Sequence, residues 1–120
     1  MSGHLYLQMQ LHHGIIKFGA VGFDWDHWNI SKILLKHRIW PLQIEEFFRG
    51  SFWFDEDRLH SQLERRYLAI GRPSARRAMV VVFTFRDKDG LKLLRPITAR
   101  YMHKKELEKY EQAYPQIQVR

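Results

Sequence analysis

Glu64-Arg65-Arg66-Tyr67-Leu68-Ala69-Ile70-Gly71-Arg72, then Ala78-Met79-Val80-Val81-Val82-Phe83-Thr84-Phe85-Arg86, then Arg95-Pro96-Ile97-Thr98-Ala99-Arg100 decide the fold of this 120-residue chain. Each run is apolar and β-prone, and each starts or stops at an arginine. Strand residues two apart share a face, so a strand over 64–72 projects Glu64, Arg66, Leu68, Ile70 and Arg72 together. The 78–86 run is apolar on both faces, as a central strand covered on two sides requires. Asp87-Lys88-Asp89-Gly90 predicts a four-residue hairpin turn, and 91–99 pairs back. Pro96 has no N–H for the ladder, which predicts an edge or bulged position. Three arginine-ended strands in sequence suggest a small sheet presenting cations to a nucleic acid.

Toward the N-terminus, Phe23-Asp24-Trp25-Asp26 opens a helix, with Asp24 or Asp26 as its cap. Trp25, Trp28, Ile30, Ile33, Leu34 and Leu35 follow helical spacing. Lys36, His37 and Arg38 bring cations to the last turn, and His37 reads as a helix-end cation rather than a catalyst. Trp40-Pro41 starts a second helix, whose stripe Ile44, Phe47, Phe48 is core and whose stop is Gly50. A short strand at 51–54 gives way to a polar loop at 55–58.

Toward the C-terminus, 103–114 predicts a polar helix with Lys104 and Glu108 at i,i+4 and Leu107 on its buried side. The order of two helices, antiparallel strands and a terminal helix is an α+β domain around one sheet. Residues 1–22 have no steady period and read as a poorly defined extension with a short strand at 15–18. The domain proper is 23–114, and 115–120 is a tail. His4, His12 and His13 lie in the extension without an accompanying carboxylate, so they do not read as a metal site.

The formal net charge is +7 and the pI about 9.9, which points to a polyanionic or acidic protein partner. With no cysteine, disulfide and thiolate-metal chemistry are excluded. The longest apolar run, 78–83, is far shorter than a membrane span of roughly 20 residues. No signal-peptide pattern is present, so the expected compartment is the cytoplasm.

No metal constellation, glycine-rich phosphate loop or nucleophile-elbow serine occurs. A chemistry that needs none of these is attack by the 2′-hydroxyl of RNA on its own phosphate. It requires positioning, a proton acceptor and donor, and cations for the developing charge. Glu64 beside Arg66 is either an ion pair worth under about 1 kcal/mol if exposed or a general base next to a phosphate clamp. Arg86 and Arg100 sit at strand ends, where they either solvate the sheet rim or grip phosphate. His60 is either an acid–base group or a solvated loop histidine. DNA lacks the 2′-hydroxyl, so such an enzyme is RNA-selective.

Phe23-Asp24-Trp25-Asp26, Lys36-His37, Glu64-x-Arg66-Tyr67-x-Ala69-Ile70-Gly71, Val80-Val81-Val82-Phe83-Thr84-x-Arg86, Ile97-Thr98-Ala99-Arg100 and Glu106-x-x-x-Tyr110-Glu111 resemble the BrnT family of toxins. These are the ribonuclease halves of type II toxin–antitoxin pairs, with a compact fold similar to RelE. The resemblance runs in unbroken order over residues 23–112.

It implies a ribosome-independent endoribonuclease, and the missing metal and nucleotide motifs add the expectation that it works without metal or cofactor. It also implies silencing by a BrnA-type antitoxin with a ribbon-helix-helix DNA-binding part, in a symmetric complex such as a heterotetramer. By resemblance Glu64, Arg66, Arg86 and Arg100, with His60 added, carry cleavage. Arg72, Arg95, Lys104 and Tyr110 complete the RNA-binding set. The family usually has glycine after Lys-His, where this chain has Arg38, which implies strain or a differently ended helix. The alternative is a non-catalytic RNA- or protein-binding module on the same fold. A third reading is a basic protein whose one ligand is an acidic antitoxin.

Overall fold

The computed structural model, which describes residues 9–73 and 77–115, runs in chain order through nine main elements. They are Gln10–His13 (β1), Gly22–Phe23 (β2), His27–His37 (α1), Pro41–Arg49 (α2), Ser51–Glu56 (β3), Tyr67–Gly71 (β4), Met79–Lys88 (β5), Leu91–Tyr101 (β6) and Lys104–Ala113 (α3). The sheet order is β1-β3-β4-β5-β6-β2. All pairs are antiparallel except the short edge pair β2–β6. The expected α+β class holds. None of the described helices is long and apolar enough to cross a membrane.

The apolar run in β5 faces both ways, as its composition demanded. Val81 and Phe83 point to the face covered by α1 and α2, where Ile33, Ile44, Phe47, Phe48 and Phe52 are buried with them. Edge-on rings fill this core, Phe48 lying 5.1 Å from both Phe52 and Phe83, the geometry aromatic quadrupoles favour. Val80 points the other way and packs with Ile70 and Met102 beneath Leu107 and Tyr110 of α3 and Tyr114 just past its end. Gly71 is forced by packing, since a Cβ there would meet a ring carbon of Phe47 at 3.0 Å.

Asp26 is the cap of α1. Its Oδ1 accepts from the N–H groups of Trp28 (2.9 Å) and Asn29 (3.2 Å), while Asn29 Oδ1 accepts from the Asp26 N–H at 2.8 Å. The Asn29 amide also donates to the carbonyls of Asp24 (3.0 Å) and Pro96 (2.9 Å), pinning the helix to β6. Asp24, 5% exposed, accepts from Lys88 Nζ at 2.7 Å and Arg95 Nη1 at 3.3 Å. Arg95 reaches Asp26 as well, at 2.9 Å. This bond is the main reason the Asp26 carboxyl titrates below its ordinary range.

Several expectations change. The segment predicted as a strand at 15–18 is a 3-10 turn at Ile16–Phe18, because Gly14 and Gly19 bracket it with φ of 73° and 79°. The N-terminal strand lies earlier, at β1, where Leu11 pairs with Trp53. Asp55 and Glu56, expected in a loop, stay in β3 because β4 pairs with them. The hairpin closes through two residues rather than four: Asp89 and Gly90 both take positive φ (53° and 80°), as a type I′ turn requires.

Pro96 sits at a bulge, the β5 partners jumping from Thr98 to Pro96 and leaving Ile97 as the extra residue. Trp28 and Leu35, expected on the apolar face of α1, are 77% and 80% exposed. The face that meets the sheet carries Asn29 and Ile33, and positions 28 and 35 fall opposite it at 3.6 residues per turn. Lys104 makes no ion pair with Glu108 among the described residues.

Arg38 closes α1 in the left-handed region (φ 55°, ψ 39°), its N–H donating to the Leu34 carbonyl at 2.8 Å. A side chain there is strained, so Arg38→Gly raises stability by about 1 kcal/mol. An increase in the urea midpoint checks this.

His12 of β1 rests between Phe18 (4.7 Å) and Phe54 (4.4 Å), with Nδ1 buried and without a hydrogen-bond partner among the described residues. Burial, then Lys17, lowers its pKa. The folded chain therefore holds His12 neutral where the unfolded chain, with an ordinary value of about 6.5, binds a proton. Its contribution to stability is present above that value. It is lost as pH falls through it, until the folded imidazole itself protonates. Urea midpoints at several pH values check this, and His12→Gln flattens that part of the profile.

Candidate active site

The segment 57–66 links β3 to β4 and folds back on itself. The Asp57 N–H donates to the Arg66 carbonyl at 2.8 Å. Ser61 Oγ lies 2.6 Å from the Asp57 carbonyl and 3.1 Å from the Arg66 carbonyl, and it accepts from the Arg66 N–H at 2.8 Å. Buried Thr84 on β5 donates to the Arg65 carbonyl at 2.7 Å, fastening the loop to the sheet. Glu64 and Arg66 thus precede the strand, which begins at Tyr67. Strand alternation over 64–72 is not what aligns them; this backbone closure is.

The Glu64 carboxylate bridges two guanidinium groups. Arg66 Nη2 is 3.5 Å from one oxygen, and Arg86 Nη2 from β5 is 3.3 Å from the other. Both contacts are long for charge-assisted bonds, which prefer about 2.8 Å. Arg86 Nε is buried without a partner among the described residues. Glu64 and Arg66 form one wall of an open cavity of about 490 Å³, completed by Leu59, His60, Gln62 and Leu63. His60 Nδ1 is 2.6 Å from Oδ2 of Asp57, a buried carboxylate. A phosphate has the charge and the oxygens to take the place Glu64 holds between the two arginines.

Arg100 lies elsewhere on the sheet. It is opposite Val80 on β5, six residues from Arg86, or roughly 20 Å along the strand. Its guanidinium holds Glu106 of α3 through two bonds of 2.8 and 2.6 Å. The pair raises the Arg100 pKa and lowers that of Glu106. Half-buried Tyr110, one turn further along α3, has its phenol pushed up by burial and then by Glu106. His37 is held down by burial and by Lys36, Arg100 and Lys32. It shares the last turn of α1 with Lys36, as the helix-end reading expected.

Of the expected site residues, Glu64, Arg66, Arg86 and His60 come together at the cavity. Arg72 and Lys104 line a second cavity of about 270 Å³ at the start of α3. Arg95 does not present its charge to solvent: it is 13% exposed and committed to Asp24 and Asp26. Asp57 was missed by sequence reasoning. Its spacing three before His60 was visible, but it becomes a contact only through the 3-10 turn Arg58–His60. Among the described residues no group of three His, Asp or Glu side chains is placed to hold a metal ion.

Fold and site together define a small basic α+β protein with Glu64 held between Arg66 and Arg86 beside an open cavity that His60 and Arg66 help to line. The chain belongs to the BrnT family, the ribonuclease toxins of type II toxin–antitoxin systems, whose family model matches residues 25–106. The match spans α1 through the first turn of α3 and includes Asp57, His60, Glu64, Arg66, Arg86 and Arg100. Membership implies an RNA substrate and an antitoxin partner. No curated protein matches the chain.

Proposed function

We propose that this chain is a metal-independent endoribonuclease of the cytoplasm, with a RelE-like arrangement of its sheet and helices. Its cleavage begins with attack of a 2′-hydroxyl on the neighbouring phosphate. The observation that carries this reading is the Glu64 carboxylate suspended between Arg66 and Arg86 at the wall of the His60 cavity. The substrate phosphate enters between the two guanidinium groups, which stabilise the charge that develops on its oxygens.

Arg100 and Tyr110 extend the cationic and stacking surface beside α3, and Arg72 and Lys104 extend it at the second cavity. A BrnA-type antitoxin with a ribbon-helix-helix part neutralises the toxin in a heterotetramer. The test is cleavage of end-labelled RNA by purified protein in excess chelator, with and without that antitoxin. Cleavage that survives the chelator and stops with the antitoxin supports the reading. Cleavage that requires an added divalent cation contradicts it.

A further inference from the structure

We infer that Asp57 is a positioning residue that commits His60 to one tautomer and makes its Nε2 the proton acceptor of the reaction. The inference rests on the ribonuclease reading above and names which group at the site takes the proton. Asp57 is buried at the end of β3, and its Oδ2 is 2.6 Å from His60 Nδ1. A carboxylate can only accept, so the neutral imidazole carries its proton on Nδ1 and leaves the lone pair on Nε2.

Asp57 is itself immobilised. Its N–H is bonded to the Arg66 carbonyl at 2.8 Å, and its own carbonyl is 2.6 Å from Ser61 Oγ. The side chain of His60 is 59% exposed and lines the same cavity as Glu64 and Arg66, so its outer nitrogen is open to substrate. Glu64 is a weaker candidate for the base, because both its oxygens are engaged by arginines. The charged and titratable groups facing His60 are Asp57, Glu64 and Arg66. Asp57 in turn adds a small share to the upward shift of the Tyr110 phenol on α3.

In the step, the 2′-oxygen bonds to phosphorus while its proton passes to Nε2. The bond from phosphorus to the 5′-oxygen breaks, that oxygen takes a proton from water, and the hydroxide left behind recovers the proton from Nε2. The products are a 2′,3′-cyclic phosphate and a 5′-hydroxyl, with no redox change.

Two measurements test this. Nitrogen-15 NMR of the histidine rings in the wild-type protein reads the tautomer without reference to activity. The expected result is a proton on Nδ1 of His60, lost as a single preferred state in Asp57→Asn, whose amide can also donate. A proton on Nε2 in the wild type overturns the inference. RNA cleavage is the second. Asp57→Asn and His60→Ala each slow it by roughly 100-fold, the double variant is no slower than His60→Ala, and imidazole restores part of the rate to His60→Ala. Losses that multiply in the double variant overturn the inference. A wild type that cuts no RNA sinks the ribonuclease reading, while the NMR result still decides the tautomer.

Discussion

Arg66→Ala cleaves end-labelled RNA at least roughly 100-fold more slowly than the wild type, the loss typical of removing one preorganised donor at a developing charge. Arg86→Ala does the same. Each arginine supplies one side of the clamp in which Glu64 now sits, and a phosphate held from one side alone is neither neutralised nor oriented for in-line attack. Stability barely changes in either variant, because both pairs are partly exposed and such pairs contribute at most about 1 kcal/mol. Single-turnover rates beside urea midpoints separate the two effects. A variant that keeps its rate would remove that arginine from the clamp.

Arg95→Ala shows the opposite pattern. It loses about 3 kcal/mol of stability, the scale for leaving one member of a buried charge pair behind. Its RNA cleavage per folded molecule stays near that of the wild type. Asp24, 5% exposed, keeps Lys88 as its remaining cation, and Lys88 is itself 56% exposed. Asp26 loses the partner that holds its carboxyl low, and the cap of α1 loosens with it. Chemical denaturation followed by fluorescence of the four tryptophans measures the loss. Weaker RNA binding with unchanged stability would instead place Arg95 in the substrate surface.

Arg86 and Arg95 show what a sequence discloses and what it hides. Both end apolar runs, and along the chain nothing distinguishes them. Arg95 is withdrawn because Asp24, 71 positions away, waits between β2 and the cap of α1. The strands themselves were legible, since β-branched runs broken by Asp-Gly state their own pairing, and Phe47 and Phe48 declared the core by helical spacing. β1 was not legible, because its pairing with β3 joins residues some forty positions apart, such as Leu11 and Trp53. The loop 57–66 was hidden for a related reason. Its shape depends on the Ser61 hydroxyl bridging Asp57 and Arg66, and no periodicity records such a bond. Glu64 and Arg66 were thus paired correctly through the wrong element, a strand face in place of a closed loop.

The most direct test of the central claim uses an RNA carrying a single 2′-deoxy nucleotide immediately 5′ of the bond that the wild-type protein cuts. If the 2′-hydroxyl is the nucleophile at the Arg66–Arg86 clamp, that bond survives, and the all-ribose control yields a 2′,3′-cyclic phosphate on the upstream fragment. Cleavage at the deoxy position at the control rate contradicts the account, because the attacking oxygen must then come from water.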